Sequence, residues 1–117
     1  MAKIFILWMT SLLSFNVFAQ VNCDALDNLA QQQSIRFDSA ENGYQVKGEG
    51  RAYFYSAPTA ACEDKKVFII HGDNVNAYLD YNNYYYVMYF TKEGKQVSGW
   101  VKRDRLKSNG TGVGGQE

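Results

Sequence analysis

The hydrophobic pattern divides the chain into three regimes. Apolar residues run from Ile4 to Leu13, broken only by Thr10 and Ser11. From Asp24 to Gln33 they recur at helical spacing, as Leu26, Leu29 and Ala30. From Arg36 to Leu106 they fall in short alternating runs separated by Gly, Asn, Asp and the single Pro58. The first run is shorter than the roughly 20 apolar residues a membrane helix needs. It follows Lys3 and precedes Val17 and Ala19, small residues in the pattern of a cleavage site. This predicts a secretory signal peptide over 1–19, cut after Ala19, with a membrane anchor as the competing reading. Gln20, Val21 and Asn22 before Cys23 do not form a lipoprotein signal.

The second regime predicts a short helix that Asp24 caps and Cys23 anchors at its start. The third predicts strands. Arg36–Asp38 and Tyr44–Val46 flank an Asn42-Gly43 turn, and Arg51–Ser56 alternates aromatic and small residues up to Ala57-Pro58. Val67–Ile70 is an apolar run that ends at a Gly72-Asp73 turn. Val75, Ala77 and Leu79 alternate with polar neighbours, and Asn82-Asn83 turns the chain into the aromatic strand Tyr84–Phe90. Lys92–Lys95 is a hairpin turn, Val97–Val101 the returning strand, and Asp104–Leu106 one tight helical turn. Residues 108–117 are Gly-rich and polar and read as a disordered tail. The expected organisation is a signal peptide (1–19), a helix-and-hairpin extension (20–50), a barrel (51–107) and the tail.

Removing nineteen of 117 residues leaves 98, enough for one small domain. So small a core benefits from a covalent staple. Cys23 and Cys62 supply one in an oxidising compartment, and their positions with a lone histidine make no zinc site. Twelve basic residues balance twelve acidic ones, and loss of Lys3 leaves about −1. No basic stripe exists to grip nucleic acid. All nine tyrosines lie between Tyr44 and Tyr89.

Short strands at close spacing argue for an all-β fold, a small barrel. Arg51-Ala52-Tyr53-Phe54-Tyr55-Ser56-Ala57-Pro58, Gly72-Asp73-Asn74-Val75-Asn76-Ala77-Tyr78, Tyr86–Phe90, Gly94-Lys95, Gly99-Trp100-Val101 and Leu106 occur in a telling order. Over residues 51–106 the chain thereby resembles the bacterial SH3-like domain family; Cys23–Gly50 has no counterpart in that pattern. The resemblance implies a small SH3-like barrel, here carrying a short N-terminal helix stapled by one disulfide. Val75, Ala77, Val87, Tyr89, Val101 and Leu106 then face the core, and Gly99 permits a close backbone approach. It also implies a non-catalytic binding module, acting on a cell-wall peptide or on an envelope protein in the periplasm.

No catalytic set is legible. His71 is the only histidine, both cysteines are committed, Glu63-Asp64 stands in a charged loop, and no phosphate-cradling glycine loop follows a strand. Neither a cofactor nor a metal is expected, nor stable membrane insertion after signal cleavage. The candidate ligand-binding residues are Tyr53, Tyr55, Tyr84 and Trp100. Alternation sets Tyr53 and Tyr55 on one face of their strand and turns Trp100 away from Val101, and the SH3-like resemblance implies that these faces merge near the groove loops, clustered and partly exposed. Filling a core that so small a domain otherwise lacks is the competing role for these rings. Tyr86, Met88 and Phe90 point outward as well, under residues 23–50 or under a partner. An alternative function is a periplasmic inhibitor or immunity protein that neutralises a toxin or wall hydrolase through the Glu63–Lys66 loop or the Asn82-Asn83 turn.

Overall fold

The computed structural model describes residues 21–111, so the signal peptide read over 1–19 lies outside the described residues. Helix α1 (Cys23–Gln33) is capped by Asn22, whose Oδ1 accepts from the Ala25 N–H at 3.0 Å. The cap is therefore not Asp24, as expected. Asn22 has the extended backbone a cap requires, and Asp24 sits inside the first turn, where its charge faces the positive helix end.

Eight strands follow: β1 (Ile35–Arg36), β2 (Gly43–Val46), β3 (Ala52–Tyr55), β4 (Glu63–Ile69), β5 (Asn74–Tyr81), β6 (Tyr84–Phe90), β7 (Gln96–Lys102) and β8 (Leu106–Ser108). They form one antiparallel sheet in the order β4-β3-β7-β6-β5-β2-β8, curled into a half-barrel, with β1 also paired to β5. The expected fold class is thus the one adopted: all-β, with one N-terminal helix stapled by a disulfide. The staple is Cys23–Cys62, S–S 2.07 Å, which ties the start of α1 to the 3-10 turn Ala60–Cys62.

The hairpin expected around Asn42-Gly43 does not form. β5 is long enough to take two short partners end to end, so Arg36 lies opposite Leu79 and Tyr44 opposite Val75. A 3-10 turn (Ser39–Glu41) and the fully buried Asn42, whose carbonyl accepts from the Ala77 N–H, join the two. β2 lies between β5 and β8, so residues from both sides of position 50 share one sheet. Glu63–Lys66, expected as a loop, begins β4. The register slips there, with Asp64 opposite Phe54 but Phe68 opposite Tyr53, so Lys65 and Lys66 stand out in a bulge.

The inner face buries Val46, Phe54, Ile69, Val75, Ala77, Val87, Val101 and Leu106; Tyr89 packs against it half-buried. A Cβ on Gly99 would sit 2.8 Å from Phe54 Cδ2, so the expected close approach is real. Residues 108–111 are ordered, contrary to the expected tail. Ser108 belongs to β8, the Gly43 N–H donates to the Thr111 carbonyl (2.7 Å), and the Asn109 N–H donates to the Gly43 carbonyl (3.0 Å). Backbone pairing, rather than apolar burial, holds them. Residues 112–117 lie outside the described residues.

Candidate functional site

The outer face of the sheet carries the four expected residues. Strand pairing sets Tyr55 on β3 opposite Trp100 on β7, and Trp100 opposite Tyr86 on β6. Tyr55 and Tyr84 meet edge to face at 5.0 Å, as do Tyr86 and Trp100 at 5.3 Å. The rings cluster, but the expected partial exposure does not hold for three of them. Trp100 is fully buried, Tyr55 and Tyr84 retain 5% and 8% of their surface, and Tyr53 is half-buried. The cause is α1. Ala30 seats against this cluster, and the Trp100 Nε1–H donates to Asp27 Oδ1 at 2.7 Å. Alternation identifies the face a side chain occupies; it does not say what covers that face. Beyond the helix, Met88 is half-buried and Phe90 is 55% exposed.

Tyr55 and Tyr84 keep an edge on a surface groove, and Tyr53 joins them. One hollow, of about 580 Å³, lies between the loop after Pro58, the Asn82-Asn83 turn and Lys102–Asp104. A second, of about 240 Å³, lies across Lys102, between Arg51–Tyr55, Glu63 and Arg105. Tyr84 lines the first; Tyr53 and Tyr55 line the second; Trp100 lines neither.

The walls are cross-fastened. Asn82 and Asn83 both have positive φ, 52° and 69°, the backbone of a tight two-residue hairpin turn that Asn tolerates. Asn82 Nδ2 donates to the Pro58 carbonyl at 3.0 Å. An Arg103 guanidinium N–H donates to Asn83 Oδ1 at 2.6 Å, and its other terminal nitrogen lies 4.0 Å from an Asp80 carboxylate oxygen. Arg105 donates to three carbonyls, those of Lys47, Arg51 and Gly50, at 2.9–3.0 Å.

The floor has a different character. The Tyr55 hydroxyl donates to Glu63 Oε2 at 3.3 Å. Burial and the neighbouring Glu63 raise its pKa above the ordinary tyrosine value, and burial with the adjacent Tyr55 raises that of Tyr84. Both hydroxyls therefore stay protonated and can donate. Among the described residues the Tyr84 hydroxyl has no hydrogen-bond partner. Lys102 is exposed, with its Nζ 6.0 Å from the Tyr55 ring centroid. The groove thus offers aromatic edges, a free hydroxyl and an ammonium beside the acids Glu63 and Asp104.

His71 is exposed in the turn before Gly72, away from this groove. No three His, Cys, Asp or Glu side chains converge among the described residues. The sequence reading missed Lys102, Arg103 and Arg105. A positively charged 3-10 turn between two strands has no periodic signature, and the carbonyls Arg105 grips lie more than fifty positions away. Asn-Asn, by contrast, is a visible turn motif. No protein-family model, curated protein or solved structure matches the chain.

Proposed function

We propose that the protein is an exported, non-catalytic binding module of the bacterial SH3-like type, working in the periplasm after loss of residues 1–19. It takes a cell-wall peptide, or a peptide segment of an envelope protein, in the groove around Lys102. The observation that carries this reading is the contrast between walls and floor. Three chain segments are fixed to one another by side-chain hydrogen bonds, yet among the described residues the Tyr84 hydroxyl has no hydrogen-bond partner and Lys102 no ion pair, only the Tyr55 ring 6.0 Å from its Nζ. A preformed groove loses little entropy when it binds, and aromatic edges with polar tips suit an extended peptide. The Cys23–Cys62 bond supports an oxidising compartment.

The test is retention of the mature protein on purified peptidoglycan sacculi. Retention should exceed that of an unrelated protein of similar charge and fall in Lys102→Met. Equal retention of the two proteins rejects the cell-wall reading.

A second reading, an inhibitor or immunity protein, draws on the β4 bulge. Lys65 and Lys66 stand out there, with Phe68 and Ile70 38% and 51% exposed nearby. Under that reading Lys65→Glu/Lys66→Glu abolishes binding to a target enzyme and leaves sacculus retention unchanged.

A further inference from the structure

We propose that the larger hollow is a carboxylate site, which binds the free C-terminal carboxylate of a short peptide; this rests on the reading of the groove as a peptide site. The argument is one of unspent donors. Three residues with groups able to hold an anion line the hollow: Lys102, Arg103 and Tyr84. Arg103 is largely committed, to Asn83 and toward Asp80. Its guanidinium therefore shapes the wall and leaves a positive potential.

Lys102 and Tyr84 are not committed. Lys102 has no ion pair among the described residues, only the distant Tyr55 ring. Tyr84 presents a buried ring whose hydroxyl has no hydrogen-bond partner among the described residues. Tyr84 and Lys102 are direct partners across the β6–β7 pair and line the same hollow, so they bring one O–H and one ammonium, two donors for the two oxygens of a carboxylate. Charge-assisted hydrogen bonds of this kind are about twice as strong as neutral ones.

Asp104 also lines the hollow and opposes an anion. Among the lining residues it stands against two cations, Lys102 and Arg103, and since Arg103 also faces Asp80, the uncompensated positive charge is that of Lys102. That lone acid also disfavours polyanions, whose several charges would crowd it. The neighbouring hollow across Lys102 carries Glu63, which receives the Tyr55 hydroxyl. A ligand with its carboxylate beside Lys102 and its preceding residues toward Glu63 meets opposite charge at each end. The class recognised is therefore a short zwitterionic peptide with a free carboxyl terminus, rather than an internal segment of a folded partner.

The experiment is calorimetric titration of the full mature chain with the synthetic tripeptide lysyl-D-alanyl-D-alanine and with its C-terminal amide. The acid should bind about tenfold or more tightly than the amide, the range expected for losing charge-assisted bonds. Lys102→Met and Tyr84→Phe should each shrink that ratio while the urea midpoint stays unchanged. Lys102 is exposed and Phe preserves the Tyr84 ring, so neither change removes packing. Equal binding of acid and amide overturns the carboxylate site and leaves the peptide groove standing. Absence of binding by either tripeptide, with sacculi still retained, also overturns it. Absence of both rejects the groove reading as well.

Discussion

The two faces of the sheet are packed by different chemistry and held by different means. The inner face is a contiguous aliphatic core, with Val46, Val75, Ala77, Val87 and Val101 around Phe54 and Ile69. Every strand from β2 to β8 contributes to it, so the curl of the sheet alone buries these residues. The outer face is mainly aromatic, with Trp100, Tyr55 and Tyr84 beside Leu79 and with Tyr53 and Tyr86 at its margin. Nothing in the sheet covers it. It depends on an eleven-residue helix whose only fully buried side chain is Ala30. Among the described residues that helix is fixed by one disulfide and by one hydrogen bond to the sheet, donated by the Trp100 Nε1–H to Asp27. The inner core is intrinsic to the sheet, whereas the outer one is made by a tethered lid. Damage to each should differ in size and in kind.

Breaking the inner core should have the largest effect. Val101→Asp places an unpaired carboxylate among fully buried aliphatic groups, which should cost more than about 4 kcal/mol and leave little folded protein. Gly99→Val should act in the same direction, because even a Cβ there crowds Phe54. Circular dichroism and soluble yield are the readouts. A native spectrum for Val101→Asp would mean the inner face is not the main core.

Breaking the tether should cost less and act on the other face. The disulfide closes a 39-residue separation, worth about 4 kcal/mol in the chain-entropy view. Cys23→Ala/Cys62→Ala should lower the unfolding midpoint while the sheet still forms. Trp100 is the only tryptophan after residue 19, so its fluorescence reports the outer core alone. Emission should shift to the red in the double variant. A shift without loss of β-sheet signal separates lid release from global unfolding; an unchanged emission maximum would show that α1 stays seated without its tether.

Sequence patterning read these two faces unequally, for a physical reason. Alternation along β5, β6 and β7 places Val75, Ala77, Val87 and Val101 inside and Trp100 on the opposite side, as observed. Leu79, in phase with Val75 and Ala77, nevertheless lies on the outer face, because the β5–β6 pairing slips between Ala77 and Leu79. Period-two geometry is a property of the strand itself. Whether Trp100 is wet or dry depends on a helix whose start lies 77 residues away (100 − 23), and no local pattern encodes that contact. The groove was half legible. Tyr53, Tyr55 and Tyr84 do reach it, but Lys102, Arg103 and Arg105 draw their roles from non-local partners such as Asn83, Lys47 and Gly50. The two end-to-end partners of β5 were invisible for the same reason: Asn42-Gly43 is a good hairpin motif, and the long free edge of β5 outcompeted it.

The polar contact beneath the lid should contribute less than the tether. Asp27→Ala leaves the fully buried Trp100 without a partner for its Nε1–H. A hydrogen bond to a charged acceptor is worth about 1.5–3 kcal/mol, and the loss should fall in that range. Urea titration followed by fluorescence measures it. If Asp27→Ala in the reduced protein costs as much as in the oxidised one, the lid holds its place without the disulfide, and the contrast between intrinsic and tethered cores weakens.

The smallest expected effect is on pH dependence, and it reaches both faces. Tyr85 packs on the inner side, edge to face with Phe37 at 4.8 Å and Tyr44 at 5.2 Å. Burial, and then the neighbouring Tyr44, push its pKa up to about 12 from an ordinary 10.0. On the outer side Tyr55, Tyr84 and Tyr86 are raised as well, each chiefly by burial. The folded state therefore holds these hydroxyls protonated more firmly than the unfolded chain does. The stabilisation is fully present below pH 10 and is lost as pH rises toward 12, because the unfolded chain releases its protons first. The urea midpoint should accordingly stay level to about pH 10 and fall above it, with absorbance near 295 nm reporting phenolate. Tyr85→Phe should make that fall shallower without moving the red shift of Trp100 in the tether variant, since Tyr85 and Trp100 belong to different cores. An alkaline profile identical to wild type would show that Tyr85 titrates in the folded protein as it does in the unfolded chain, and would leave the outer tyrosines to account for the whole slope.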